Sequence, residues 1–247
     1  MRALQLAARD VHRGELIVVN ARQPLQSGAA PRLAPADDAH PDILLHSKAA
    51  ALLAQLVVAV GGGGRIVPVS GWRSLADQQT IWDDSMAANG QEFTQSYVAR
   101  PGCSEHQTGL AIDLGQAAPH IDFLRPAFPY DGVCGAFRRQ AARYGFIERY
   151  EKGKEEITGI AHEPWHFRYV GAPHAQLMRQ HGLCLEEYPA FLARRARTCT
   201  LENGRIAQVF YVPCQGETTH VEVPDGCCQV SGDNNAGFII TVWGRAV

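Results

Sequence analysis

The chain has 247 residues, a net charge of −2, and 46% hydrophobic and 19% charged side chains. That profile suits one large globular domain, or one domain with a small appendage. The near-zero charge offers no basic patch for nucleic acid or an anionic membrane, so no nucleic-acid partner is expected.

Met1 to Leu6 runs straight into Arg9, Asp10, His12 and Arg13, which leaves no apolar h-region for a signal peptide. A cytoplasmic location is the expectation. Residues 1–45 read as irregular, apart from Leu16-Ile17-Val18-Val19, which predicts a short strand. Ser47 to Val60 predicts a helix, stopped by Gly61 to Gly64. No Lys-Ser or Lys-Thr follows those glycines, which argues against a phosphate-binding loop. The most apolar stretch, Ala49 to Val60, contains Gln55 and falls short of the roughly 20 residues a bilayer span needs, so no transmembrane segment is expected.

Arg65 to Ser70 predicts a strand. Ser74 with Asp77 then opens a helix through about Met86. Leu110-Ala111-Ile112 predicts a short strand, Gly135 to Tyr144 a helix, and Phe146 to Tyr150 and Trp165 to Val170 two further strands. Helices are expected at about 173–181 and 185–195. After residue 197 the strand-like runs Ile206 to Val212, Thr218 to Val223 and Phe238 to Trp243 are separated by Gly, Pro, Asp and Asn. The expected fold class is therefore α+β: a small antiparallel sheet flanked by helices, with a C-terminal β appendage. Residues 1–196 are read as the main domain, with its core at about 45–175, and residues 197–247 as a small β-rich subdomain.

The seven cysteines, at 103, 134, 184, 199, 214, 227 and 228, are odd in number and lack CxxC spacing. They fit neither a disulfide framework nor a thiolate zinc site. Cys227 and Cys228 read as small strand residues, and Cys103 as a nucleophile is outweighed by the chemistry beside it. Three clusters carry that chemistry: Ser70-Gly71-Trp72-Arg73-Ser74, Ser104-Glu105-His106 through to Asp113, and His162-Glu163-Pro164-Trp165-His166.

Zinc prefers imidazole nitrogen and carboxylate oxygen, and a catalytic zinc keeps three protein ligands and an open position. His106, Asp113 and His166 supply such a set, and Glu163 is placed to act as the base for a water. A rival reading takes His162 and His166 as the pair of an H-E-x-x-H helix. Trp165 to Val170 is β-prone and Pro164 disfavours a helix interior, so that reading is the weaker one. Arg73, Trp165 and Gly109 each have a bland alternative as a surface, core or turn residue.

The run S-x-H-x-x-G-x-A-x-D followed by E-P-W-H resembles the D-Ala-D-Ala metallopeptidases of the VanX, VanY and VanXY type, which are grouped with lysostaphin-type enzymes and hedgehog zinc domains. The resemblance covers roughly residues 45–175. It implies zinc on His106, Asp113 and His166, a general base at Glu163, and an oxyanion-stabilising arginine at Arg73. It also implies that Gln78 and Ser104 line the substrate pocket.

The implied activity is zinc-dependent hydrolysis of the terminal D-Ala, or release of D-Ala-D-Ala, from peptidoglycan precursor peptides, with possible support of glycopeptide resistance. A stem-peptide endopeptidase is the alternative enzyme. A non-catalytic zinc-stabilised binding module is the alternative of another class, and it would need neither Glu163 nor Arg73.

Overall fold

In a computed structural model the protein is described over residues 1–26 and 30–245. Its elements run β1 (Arg2–Ala7), β2 (Leu33–Pro35), β3 (Leu44–His46), α1 (Ser47–Ala59), β4 (Ile66–Ser70), α2 (Leu75–Tyr97), β5 (Ala111–Gln116), α3 (Gly132–Ala141), β6 (Phe146–Tyr150), α4 (Glu155–Thr158) and β7 (Glu163–Tyr169). They continue with α5 (Ala172–His181), α6 (Tyr188–Arg194), β8 (Arg197–Thr200), β9 (Arg205–Pro213), β10 (Thr218–Val223), β11 (Cys227–Gly232) and β12 (Gly237–Arg245). The fold is α+β, as the patterning implies. Among the described residues no helix is long and apolar enough to cross a membrane.

The sheet that matters for function has the order β4-β5-β7-β6, and every neighbouring pair is antiparallel. Side chains alternate across its two faces. Ile112, Leu114, Phe167 and Tyr169 point to one face and pack with Leu53 and Leu56 of α1 and Phe137 of α3 in the main apolar core. Asp113, His166 and Arg168 fall at the alternate positions and face the other way. Helices thus cover one face of the sheet, and polar chemistry occupies the other.

Helix α2 starts where Ser74 and Asp77 cap each other reciprocally, Asp77 N–H donating to Ser74 Oγ and Ser74 N–H to the Asp77 carboxylate. It runs on to Tyr97, past the expected end near Met86, and kinks at Gly90, whose φ of 78° is non-helical.

The expected strand at Leu16–Val19 does not form. The four residues are buried but irregular. Partners outside any ladder hold the segment: Arg168 donates to the carbonyls of Glu15 and Ile17, Asn234 to that of Val18, and Leu16 N–H donates to Ser231 Oγ. The β-branched run signalled burial; side chains supply part of its hydrogen bonding, and Val18 N–H donates to Asp233 O at 3.2 Å. Conversely, Arg2–Ala7, expected to be irregular, pairs antiparallel with β10.

From residue 197 the chain forms a second antiparallel sheet, β11-β12-β9-β8. Ala207, Val209 and Ile239 of this sheet share one buried cluster with Leu177 and Met178 of α5, Leu185, and Leu16 and Val18.

Candidate active site

Asp113 on β5 lies directly opposite Ser70 on β4 and His166 on β7. Directly paired residues of an antiparallel ladder point to the same face, so the carboxylate and imidazole meet side by side. Asp113 Oδ1 and His166 Nδ1 are 3.0 Å apart.

His106 comes from a short 3-10 turn, Glu105–Thr108, that ends on Gly109 with φ of 71°. A side chain at Gly109 would also crowd His46 N, which donates to the Gly109 carbonyl. The ring of His106 is fixed by Nδ1–H donating to Gly71 O at 2.7 Å, which leaves Nε2 facing Asp113 Oδ2 at 3.2 Å. Gly71 is constrained in turn, because a Cβ there would sit 2.2 Å from Leu44 O.

Glu163 and His166 are three residues apart, a spacing that puts side chains on opposite faces of a regular strand. A bulge brings them together. Glu148 pairs with Phe167 but Tyr150 pairs with Glu163, so residues 164–166 answer the single residue Arg149. Pro164, which has no N–H to lose, sits in the bulge, and Arg138 donates to its carbonyl at 2.9 Å. Glu163 Oε2 ends 3.5 Å from His166 Nδ1. Because Glu163–Tyr169 is a strand, His162 and His166 do not share a helical face. His162 Nε2 instead lies 2.7 Å from Tyr130 Oη and is outside the group of potential metal ligands.

His106, Asp113 and His166 each offer a ligand atom, and these atoms lie within 4.8 Å of one another, all buried. His106 Nε2 and Asp113 Oδ1 have no hydrogen-bond partner. Buried polar atoms are rarely left without one. Two imidazoles and a carboxylate are also the donor set zinc prefers, so the residues fit that ion.

The electrostatics agree. Burial, with Arg73 adding to it, pushes His106 down to about 4, so it is a neutral donor near neutral pH. Burial also opposes a charged His166, but the neighbouring carboxylates of Asp113, Glu105 and Glu163 outweigh it and raise the imidazole to about 9. The pocket around His166 therefore favours a positive charge. Against the cost of burial, His106 and His166 hold the Asp113 carboxyl well below its ordinary range. Burial pushes Glu163 up to about 8; Asp113 adds to the rise, while His166 and Arg73 restrain it.

These groups line one small cavity of about 40 Å³ together with Arg73, Ser104, Tyr150 and Trp165. Arg73 donates through Nη2 to Asp113 Oδ2 at 3.2 Å and through Nη1 to Gln78 Oε1 at 3.0 Å. Gln78 is fully buried and donates from Nε2 to Ala99 O at 2.7 Å. It stands behind Arg73, off the cavity wall. Ser104 is buried on the wall itself.

The sequence reading passed over Glu105, which is buried beneath His166 between Arg149 and Arg168. An acidic residue immediately before the candidate ligand His106, and an arginine in phase with His166 on one strand, were the available signals.

The profile of the family described as VanY, D-alanyl-D-alanine carboxypeptidase, matches residues 42–172. The bifunctional D-Ala-D-Ala dipeptidase and carboxypeptidase VanXYC of Enterococcus gallinarum is 42% identical over 186 residues, covering 74% of this chain and 97% of that protein. A D-alanyl-D-alanine carboxypeptidase of Enterococcus faecium is 34% identical, over 74% of this chain and 55% of that protein. Among solved structures, the vancomycin resistance D,D-dipeptidase VanXYg, in complex with a D-Ala-D-Ala phosphinate analogue, matches with a TM-score of 0.95 at 44% identity, over 98% of this chain and 99% of that one. A VanY D,D-pentapeptidase variant from a VanB-type resistance cassette, in complex with Zn(II), matches with a TM-score of 0.58 at 31% identity, over 70% of this chain and 98% of that one.

Proposed function

This chain belongs to the VanY family of D-alanyl-D-alanine carboxypeptidases, and on that premise we propose that it is a zinc peptidase acting on the D-Ala ends of peptidoglycan precursors. Both free D-Ala-D-Ala and peptides ending in D-Ala are its substrates, and their removal supports glycopeptide resistance. The observation that carries the reading is the convergence of His106, Asp113 and His166 beside Glu163 and Arg73 in one buried pocket.

His106 through Nε2, Asp113 through its carboxylate and His166 through Nδ1 would hold the zinc. When bound, zinc polarises a carbonyl and makes a water more acidic near neutral pH. Glu163 accepts the proton of the attacking water and returns it to the leaving D-Ala amine. Burial raises the proton affinity of the Glu163 carboxyl, which favours both taking up that proton and holding it for the leaving amine. Arg73, held by Gln78 and Asp113, presents its guanidinium to the oxygen that becomes negative in the tetrahedral intermediate. Ser104 on the wall contacts the substrate, and Gln78 acts by holding Arg73.

Hydrolysis of D-Ala-D-Ala, of a D-Ala-D-Ala-ended pentapeptide and of a D-Ala-D-Ser peptide by the zinc-loaded protein tests this reading. Turnover of the first two is expected. Cleavage of an internal stem-peptide bond with neither end product would point to an endopeptidase, and zinc uptake without any hydrolysis to a binding module.

A further inference from the structure

A second charged layer lies directly behind His166. Glu105 is wholly buried; its Oε1 accepts from Arg149 Nε at 2.8 Å and forms an ion pair with Arg168, whose Nη1 also lies 2.8 Å away. The arginines are themselves anchored. Arg149 makes two hydrogen bonds to Glu186, at 2.9 and 2.6 Å, and Arg168 donates to the carbonyls of Glu15 and Ile17, each at 3.0 Å. Two guanidiniums thus balance two carboxylates, and the burial of the cluster is offset by pairing.

On the carboxylate, one oxygen is left over. Glu105 Oε2 has no hydrogen-bond partner, and 3.7 Å away lies His166 Nε2, buried and likewise without one. Leaving both unpaired would cost each its desolvation penalty. An adjustment of roughly half an ångström brings the pair within the 3.2 Å limit of an N–H···O bond.

The other ring nitrogen, Nδ1, faces Asp113 and Glu163. A neutral imidazole carries one proton, and a nitrogen that ligates a metal cannot hold it. On the zinc reading above, on which this inference rests, the proton of His166 must therefore sit on Nε2, where Glu105 is the acceptor. Nothing in the pocket provides this for His106, whose proton goes to the Gly71 carbonyl.

We infer that Glu105 is a positioning residue for His166: its Oε2 accepts a hydrogen bond from Nε2–H and so fixes the ring tautomer and plane that present Nδ1 to the zinc. Arg149 and Arg168 hold the carboxylate at the correct reach and keep it charged. The clamp also ties the zinc site to the segment at residues 15–17 and to Glu186, just ahead of α6.

The competing explanation is that Glu105 only neutralises two buried arginines. Two substitutions separate the roles. Glu105→Asp keeps the anion for the arginines but draws the oxygen away from Nε2. Glu105→Gln keeps the reach but supplies a neutral acceptor.

The readout is nitrogen-15 NMR of the histidine rings in full-length zinc-loaded protein, with zinc affinity measured by chelator competition. In the wild type, His106 is expected to carry its proton on Nδ1, and His166 on Nε2 with the downfield proton shift of a carboxylate-bound N–H. In both variants that proton should move upfield and zinc binding weaken by roughly 10–100-fold, the usual scale for losing such a partner, with the His106 signal in place. Should Glu105→Gln fail to fold, Glu105→Asp and the wild-type spectrum carry the test.

A His166 proton on Nδ1 in the zinc-loaded wild type would overturn the inference, as would a folded Glu105→Asp with an unchanged His166 signal and zinc affinity. The second result would leave the zinc reading standing; the first would also remove His166 Nδ1 from the proposed ligand set. Wild-type protein that takes up no zinc would defeat the zinc reading itself, and this inference with it.

Discussion

Acidification is expected to weaken the seam between the C-terminal sheet and the rest of the molecule, and His174 sets the size of the effect. His174 is buried on α5, with Nδ1 2.9 Å from Tyr188 Oη and Nε2 3.0 Å from Thr241 Oγ1 of β12. Burial, with Lys48 adding to it, pushes the imidazole from 6.5 down to about 3. Below the unfolded value of 6.5 the unfolded chain therefore binds a proton that the folded chain refuses. Stability contributed by the neutral ring is present in full above 6.5, falls as the pH drops, and is exhausted near the folded value. At about pH 5 the folded ring is still neutral, so the loss depends on the unfolded value alone. It comes to about 1.5 pH units at 1.36 kcal/mol each, or ~2 kcal/mol relative to about pH 7.5. Urea unfolding of chelator-treated wild type and His174→Gln at both pH values isolates this effect, because other titrating groups act equally on the two proteins. The wild type should lose ~2 kcal/mol more than the variant between the two pH values. Equal losses in the two proteins would refute the reasoning.

Three further outcomes follow from the site and the fold. Arg73→Ala should lower kcat by about 100-fold or more, the scale of one lost oxyanion donor, while equilibrium dialysis still finds zinc, because Asp113 keeps its place between His106 and His166. Glu163→Gln keeps its size but cannot accept a proton, so steady-state kinetics should show turnover reduced by about 100-fold or more with zinc content near that of the wild type. A chain ending near residue 195 loses the cover that Ala207, Val209 and Ile239 give to Leu177, Met178 and Leu185; thermal unfolding should show a lower Tm, and the fraction that stays folded should still bind zinc.

Local pattern made much of the catalytic sheet legible. The runs Leu110-Ala111-Ile112 and Trp165 to Val170 mark two of its strands, and Asp113 and His166, on or beside them, line the cavity. What stayed hidden depends on contacts distant in sequence. The β-branched run Leu16–Val19 looks like a strand, but its backbone bonds instead to Arg168, Asn234, Ser231 and the Asp233 carbonyl, and nothing local announces that. The bulge at Pro164 is the reason Glu163 and His166 face one cavity at an odd spacing, and it exists only in relation to Arg149 across the ladder. Glu105 gives the same lesson. Alone it reads as a loop carboxylate, and its burial becomes intelligible only once Arg149 and Arg168 arrive from two strands.

In the proposed function, one zinc ion held by His106, Asp113 and His166 drives hydrolysis of a D-Ala-D-Ala bond. The most direct measurement is D-Ala release from D-Ala-D-Ala by chelator-treated protein as zinc is titrated back. Activity should be absent at the start, rise in proportion to added zinc, and level off at about one equivalent per chain, with Asp113→Ala remaining inactive throughout. Full activity in the chelated protein, or none in a protein that has taken up its zinc, would contradict it.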